Sequence, residues 1–170
     1  MHISRSLLMF GLGAGLLLSA DITHANPARY YIQNLQTNQV LTAQGNISNH
    51  ATTTPAVTLE WMVFQNPRQI WYLEPIHGYR NKYFIRNVVS GRYLDAHGHT
   101  HLAITYPRNS GYSDNQVWTV NGRTGRIQAQ GRFGCLDAYL KGGKFGPTVG
   151  TWPCHDGKNQ QWYLANAGYY

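Results

Sequence analysis

From Arg29 onward the apolar residues come in short runs rich in β-branched and aromatic side chains, separated by Gly, Asn, Pro and Ser. The runs are "RYYIQ", "QVLTA", "AVTLEW" and "QIWYL", then "KYFIRNV", "RYLDA", "LAITY" and "QVWTV", then "GRIQAQ", "GCLDA", "TVGTW" and "QQWYL". Runs of this length and makeup between turn residues predict strands. No stretch after Asn26 repeats apolar residues at helical spacing between caps, so helices longer than a turn are not expected. The pattern predicts an all-β chain of twelve strands.

The strands fall into three sets of four, each closing on a Gln-x-Trp triplet. The tryptophans Trp71, Trp118 and Trp162 stand 47 and 44 residues apart, a period that marks repeated structural units. We place the units at about 29–75, 80–121 and 125–166 within a single domain from Asn26 to Tyr170. Four short strands cannot bury a face alone, so the units must share one core, as a closed barrel with hairpins over one end. Spacing, triplets and the residues upstream of them resemble the ricin-type lectin family, whose fold is the β-trefoil. The resemblance implies that Gln69, Trp71, Gln116, Trp118, Gln160 and Trp162 are structural, the indole filling the core and the amide tying down backbone.

Candidate chemistry lies around the triplets. The third unit offers Asp137 in "CLDAY", Trp152 in "VGTWPC" and Asn159 in "KNQQW", and the second repeats the trio as Asp95, Tyr106 and Asn115. A carboxylate accepts from neighbouring sugar hydroxyls, an amide donates and accepts, and an aromatic face covers the apolar C–H patch of a pyranose. The resemblance implies that such trios bind galactose-like sugars. The first unit departs from the pattern: Thr42 and Arg68 replace the acid and the amide, with Trp61 read as the aromatic, which makes a degenerate site. Gly150 stands where some relatives place a sugar-contacting polar side chain. His97, His99 and His101 alternate in "HGHTH" and are read as a loop bordering the ligand, since no Cys or carboxylate pattern completes a metal set. "KGGKFG" (141–146) reads as the matching flexible loop of the third unit.

The first 25 residues differ in kind. "MHISR" is basic, Leu7 to Leu18 is a twelve-residue apolar run, and "THAN" offers a cleavage site after Ala25. Twelve apolar residues fall short of the roughly 20 a spanning helix needs, so Met1–Ala25 is expected to be a signal peptide. The expected destination is extracellular, or periplasmic in a bacterium. In an exported chain, Cys135 and Cys154 are expected to form a disulfide worth about 3 kcal/mol in the chain-entropy model, and "NIS" at Asn46 is a glycosylation acceptor only if the source glycosylates there.

Charged residues make up only 12% of the chain, yet its net charge is +7. The basic side chains are dispersed, among them Arg80, Lys82, Arg86, Arg123 and Arg132, which suits attraction to an acidic surface better than nucleic-acid binding. Glu60, Glu74, Asp95, Asp114, Asp137 and Asp156 are the carboxylate side chains beyond the signal segment. Glycoside hydrolysis needs a pair about 5–10 Å apart, whereas Asp95 and Asp137 occupy equivalent places in different units. No enzyme activity, cofactor or metal is expected. The expected partners are glycans. Two alternatives stay open: a docking subunit of a multi-component toxin or secreted enzyme complex, and a trefoil protease inhibitor.

Overall fold

The computed structural model describes residues 28–45, 55–98, 100–111, 113–141 and 144–168. The expected signal segment, Asn46 and His99 lie outside these residues. Twelve strands run through them: β1 (Arg29–Asn34), β2 (Val40–Ala43), β3 (Val57–Glu60), β4 (Trp71–Pro75), β5 (Lys82–Asn87), β6 (Tyr93–Ala96), β7 (Ala103–Tyr106), β8 (Trp118–Asn121), β9 (Arg126–Ala129), β10 (Cys135–Lys141), β11 (Lys144–Trp152) and β12 (Trp162–Asn166). One 3-10 turn, Lys158–Gln160, precedes β12.

The fourth strand of each unit starts at the Trp of the triplet, two residues later than the sequence predicts. The backbone N–H of each triplet Gln closes a turn instead: Gln69 onto the Asn66 carbonyl (2.9 Å), Gln116 onto Ser113 (3.0 Å) and Gln160 onto Gly157 (3.0 Å). A second difference lies in β10 and β11. Their pairing continues past a bulge to Leu140–Phe145 and Lys141–Lys144, so the lysines expected in a flexible loop belong to a strand pair.

Six strands form the barrel. β1 pairs with β12 and β4, β4 with β5, β5 with β8, and β8 with β9. The ring closes where Trp162 N–H donates to the Gly125 carbonyl at 2.8 Å. The hairpins β2–β3, β6–β7 and β10–β11 meet over one end through the Thr58–Thr148, Ala56–Ile104 and Leu102–Gly150 contacts. This is the β-trefoil.

Strand residues facing inward build one core from all three units, with Ile32, Leu41, Leu59, Ile85, Leu94, Ile127 and Leu136 packed round Trp71, Trp118 and Trp162. Each buried indole must satisfy its N–H. Trp71 donates to the Leu41 carbonyl at 3.0 Å, Trp118 to Leu94 at 2.9 Å and Trp162 to Leu136 at 2.9 Å. Each of these leucines directly precedes Thr42, Asp95 or Asp137, so the core fixes the backbone on which the candidate residues stand.

Candidate functional site

The triplet glutamines extend that anchoring outward. All three are fully buried, and each amide oxygen accepts a loop N–H: Val63 (2.8 Å) for Gln69, Asn109 (2.9 Å) for Gln116 and His155 (2.8 Å) for Gln160. Each Nε2 donates to a carbonyl of the same loop, that of Trp61 (2.9 Å), Pro107 (2.9 Å) or Pro153 (3.1 Å). The same nitrogen also donates to Thr42 Oγ1 (3.2 Å), Asp95 Oδ2 (3.0 Å) or Asp137 Oδ2 (2.7 Å). The glutamines therefore hold the candidate acids as well as backbone, a role that sequence reasoning missed.

In the third unit Asn159 Nδ2 donates to both Asp137 oxygens at 3.0 Å. In the second, Asn115 Nδ2 donates to both Asp95 oxygens at 2.8 Å. With the glutamine, each carboxylate accepts three bonds, and it has about four acceptor positions. One acceptor direction at Oδ1 is left over. Burial pushes the Asp95 carboxyl above the ordinary carboxylate range, while the bonds from Gln116 and Asn115 and the nearby His97 pull it partly back. Its residue exposure is only 2%, so a bound hydroxyl would complete a nearly dry shell.

Strand register places the aromatics. Asp95 lies opposite Ile104 and Tyr93 opposite Tyr106; Asp137 lies opposite Gly150 and Cys135 opposite Trp152. Residues opposite each other, and those two apart, share a face. Tyr106 and Trp152 thus stand diagonally across from the acids on the same hairpin face, 44% and 48% exposed. Gly150 leaves the place opposite Asp137 without a side chain.

The first unit requires a correction. Thr42 pairs with Thr58 and Val40 with Glu60, so the counterpart of Tyr106 and Trp152 is Glu60, and Trp61 stands one residue beyond. The glutamine bonds agree, since Trp61 offers its carbonyl where Pro107 and Pro153 offer theirs. Glu60 Oε1 accepts from Gln44 Nε2 at 2.5 Å, and Arg68 Nη1 turns to the Gly45 carbonyl at 3.0 Å. Thr42, buried at the acid position, has no carboxylate to offer. In place of a trio, this unit presents the run Trp61, Met62, Val63 and Phe64, exposed by 69, 53, 56 and 77%.

A fourth position in each site went unread in the sequence: the residue whose N–H meets the triplet glutamine. In the third unit it is His155, whose Nε2 lies 3.7 Å from Asp137 Oδ2. Gly157 N–H donates to His155 Nδ1 at 3.0 Å, so the neutral ring carries its proton on Nε2, toward the acid. A Cβ on Gly157 would fall 2.5 Å from Asn159 Oδ1 and 2.7 Å from the imidazole, which is why glycine stands there. In the second unit the position is Asn109, whose Nδ2 donates to Ser113 Oγ at 3.1 Å and reaches Asn115 Oδ1 at 3.5 Å. Ser113 Oγ also donates to that Oδ1. The Cys135–Cys154 disulfide joins the strand of Asp137 to the loop of His155.

His97 and His101 lie in a turn, with His101 N–H donating to the His97 carbonyl at 3.2 Å and His97 Nδ1 facing Thr100 Oγ1 at 2.9 Å. Among the described residues no three His, Cys, Asp or Glu side chains group as a metal ion would require. No helix among them is long and apolar enough to cross a membrane.

Residues 81–170 match the profile of the ricin-type beta-trefoil lectin domain, and residues 19–104 that of the ricin-type beta-trefoil lectin domain-like group. No curated protein matches the sequence. Among solved structures, a designed three-fold symmetric protein, ThreeFoil, is 23% identical with a TM-score of 0.67, the match covering 81% of this chain and 98% of that one. The C-half of an earthworm R-type lectin in complex with GalNAc is 20% identical with a TM-score of 0.64, covering 82% of this chain and 99% of that one. A mosquitocidal holotoxin is 18% identical with a TM-score of 0.65, covering 85% of this chain but only 18% of the toxin. At these identities the likeness is one of fold.

Proposed function

The chain belongs to the ricin-type β-trefoil lectin family, and from that premise we propose that it is a secreted lectin binding galactose- and N-acetylgalactosamine-type glycans through its second and third units. One observation carries the reading: the Asp–Asn–Gln arrangement occurs twice with the same bonds, each time beside an exposed aromatic on the same hairpin face. Asp95 and Asp137 accept from sugar hydroxyls, Asn115 and Asn159 share those hydroxyls, and Tyr106 and Trp152 cover the C–H face. His155 and Asn109 border the same sites. The earthworm lectin solved with GalNAc supports this sugar class. The role is binding without catalysis, and two weak sites on one rigid body gain avidity on a multivalent surface.

Export is part of the proposal. The basic and apolar N-terminus and a disulfide, which persists in oxidising compartments, both support it. N-terminal sequencing of the exported chain should begin at Asn26.

The deciding experiment is a glycan array with residues 26–170 beside the double variant Asp95→Ala, Asp137→Ala. Binding to galactose-terminated glycans that disappears in a folded double variant supports the proposal. Silence across the array, or binding unchanged in the variant, overturns it.

The exposed run Trp61–Phe64 favours a second reading, in which the first unit docks a partner chain. Contiguous exposed apolar side chains mark interaction surfaces, and the holotoxin is a far larger chain with a comparable unit. Co-purification of a partner that free galactose does not disrupt, and that Trp61→Ser with Phe64→Ser abolishes, would establish docking.

A further inference from the structure

Two of the three junctions between units are bridged by an asparagine, and the third is not. Asn34, at the end of β1, donates from Nδ2 to the Asn159 carbonyl at 2.9 Å, and its Oδ1 accepts Gln36 N–H and Thr37 N–H. Asn87, at the end of β5, donates to the Arg68 carbonyl at 3.0 Å, while its Oδ1 accepts from Ser90. The equivalent residue at the end of β9 is Ala129. The three share one backbone bond: Asn34 N–H to the Gln39 carbonyl, Asn87 to Arg92 and Ala129 to Gly134.

Without an amide to cap it, the turn after Ala129 takes another shape. The first two turns place their left-handed residue at Asn38 and Gly91; the third places two, at Gly131 and Gly134. The backbone at Gly131 comes so close to the loop before the second triplet that a Cβ there would lie 3.0 Å from Asp114 Oδ2. Between this turn and that loop lies an open cleft of about 570 Å³ lined by Ser113, Asp114, Asn115, Arg132 and Phe133. Asn115 is the amide that holds Asp95, so the cleft begins at the edge of the second-unit site. Among the described residues no ion pair or hydrogen bond engages the exposed side chains of Arg132 or Asp114. Phe133 rests partly on the core and turns its remaining surface to the cleft.

We propose that this cleft is a subsite for the saccharide adjoining the terminal residue held by Asp95 and Asn115. The inference rests on the lectin reading and deepens it: the second unit reads a disaccharide or longer glycan, whereas at the third unit the matching turn is tied to the Asn159 carbonyl by Asn34. Arg132 supplies donors, Asp114 an acceptor and Phe133 an apolar face. A free cation and a free carboxylate together suit an uncharged sugar rich in hydroxyls, because an acidic sugar would meet Asp114.

Titration calorimetry separates the units. In Asp137→Ala, where only the second unit binds, methyl β-galactoside is compared with N-acetyllactosamine and Galβ1-3GalNAc. At least one disaccharide is expected to bind about tenfold more tightly than the monosaccharide, the scale of one added hydrogen bond to a charged group. Arg132→Ala and Asp114→Ala should remove that advantage and leave methyl β-galactoside binding unchanged. In Asp95→Ala, where only the third unit binds, no such advantage is expected. Equal affinities at the second unit, or an advantage that survives both substitutions, overturn the subsite while the lectin reading stands. Binding of none of the three sugars by the parent chain overturns both.

Discussion

Gln160 donates its Nε2–H to Asp137 Oδ2 across 2.7 Å, from 23 residues further along the chain. The same nitrogen meets the Pro153 carbonyl and the same amide's oxygen takes the His155 N–H, so one buried side chain fixes the acid and the loop facing it. Gln160→Ala strands these groups and should cost about 2–4 kcal/mol of stability, read by denaturant unfolding. Third-unit sugar binding should fall more than tenfold in the same variant. Gln160→Glu sets a second carboxylate against Asp137, so its deficit should shrink on acidification.

Trp152 and Trp162 separate surface from core. Trp162→Ala should cost about 3–5 kcal/mol, because a buried indole leaves a cavity and frees the Leu136 carbonyl. Trp152→Ala, at a half-exposed position, should change stability by less than about 1 kcal/mol and abolish galactose binding by the third unit. Thermal unfolding and calorimetry on both variants check the contrast. Loss of the fold in both would reverse the roles.

Asp95 sets a pH dependence. Burial raises its pKa, so on acidification it takes up a proton at a higher pH than an ordinary aspartate, and a protonated Asp95 has lost acceptor capacity for the sugar. Binding by Asp137→Ala should therefore decline while the pH is still above the ordinary carboxylate range. The linkage to folding has the opposite sense: a raised folded-state pKa contributes stability below the ordinary range, and that contribution is lost as pH rises through the raised value. Titrating sugar binding and unfolding in parallel should show the two trends diverge.

The disulfide joins the two sides of one site. Reduction of Cys135–Cys154 should lower stability by about 3 kcal/mol. Sugar binding should weaken in Asp95→Ala, which retains only the third unit, and stay unchanged in Asp137→Ala. Calorimetry with and without a thiol reductant on the two variants makes the comparison.

The repeats made the fold legible, because three Gln-x-Trp triplets announce three buried indoles whatever the loops between them do. The acids and amides were legible for the same reason: Asp95 and Asp137 follow a leucine, and Asn115 and Asn159 precede a glutamine. What escaped depends on register and loop length. Trp61 reads as the aromatic in sequence, yet pairing gives that place to Glu60, one residue earlier. His155, Asn109 and Val63 hold one structural position but precede their glutamines by 5, 7 and 6 residues, so no fixed spacing reveals them. Ala129 carries no chemistry of its own, and its meaning emerged only beside Asn34 and Asn87.

The pairing of β1 with β12 has a kinetic consequence. Five rungs join Tyr30–Asn34 to Trp162–Asn166, and Asn34 holds the Asn159 carbonyl. The barrel and the third-unit site can thus form only after the last strand has been made and has found the first. Contacts so distant in sequence slow the search, so pairing of the first strand with the twelfth is the step expected to limit how fast the barrel closes.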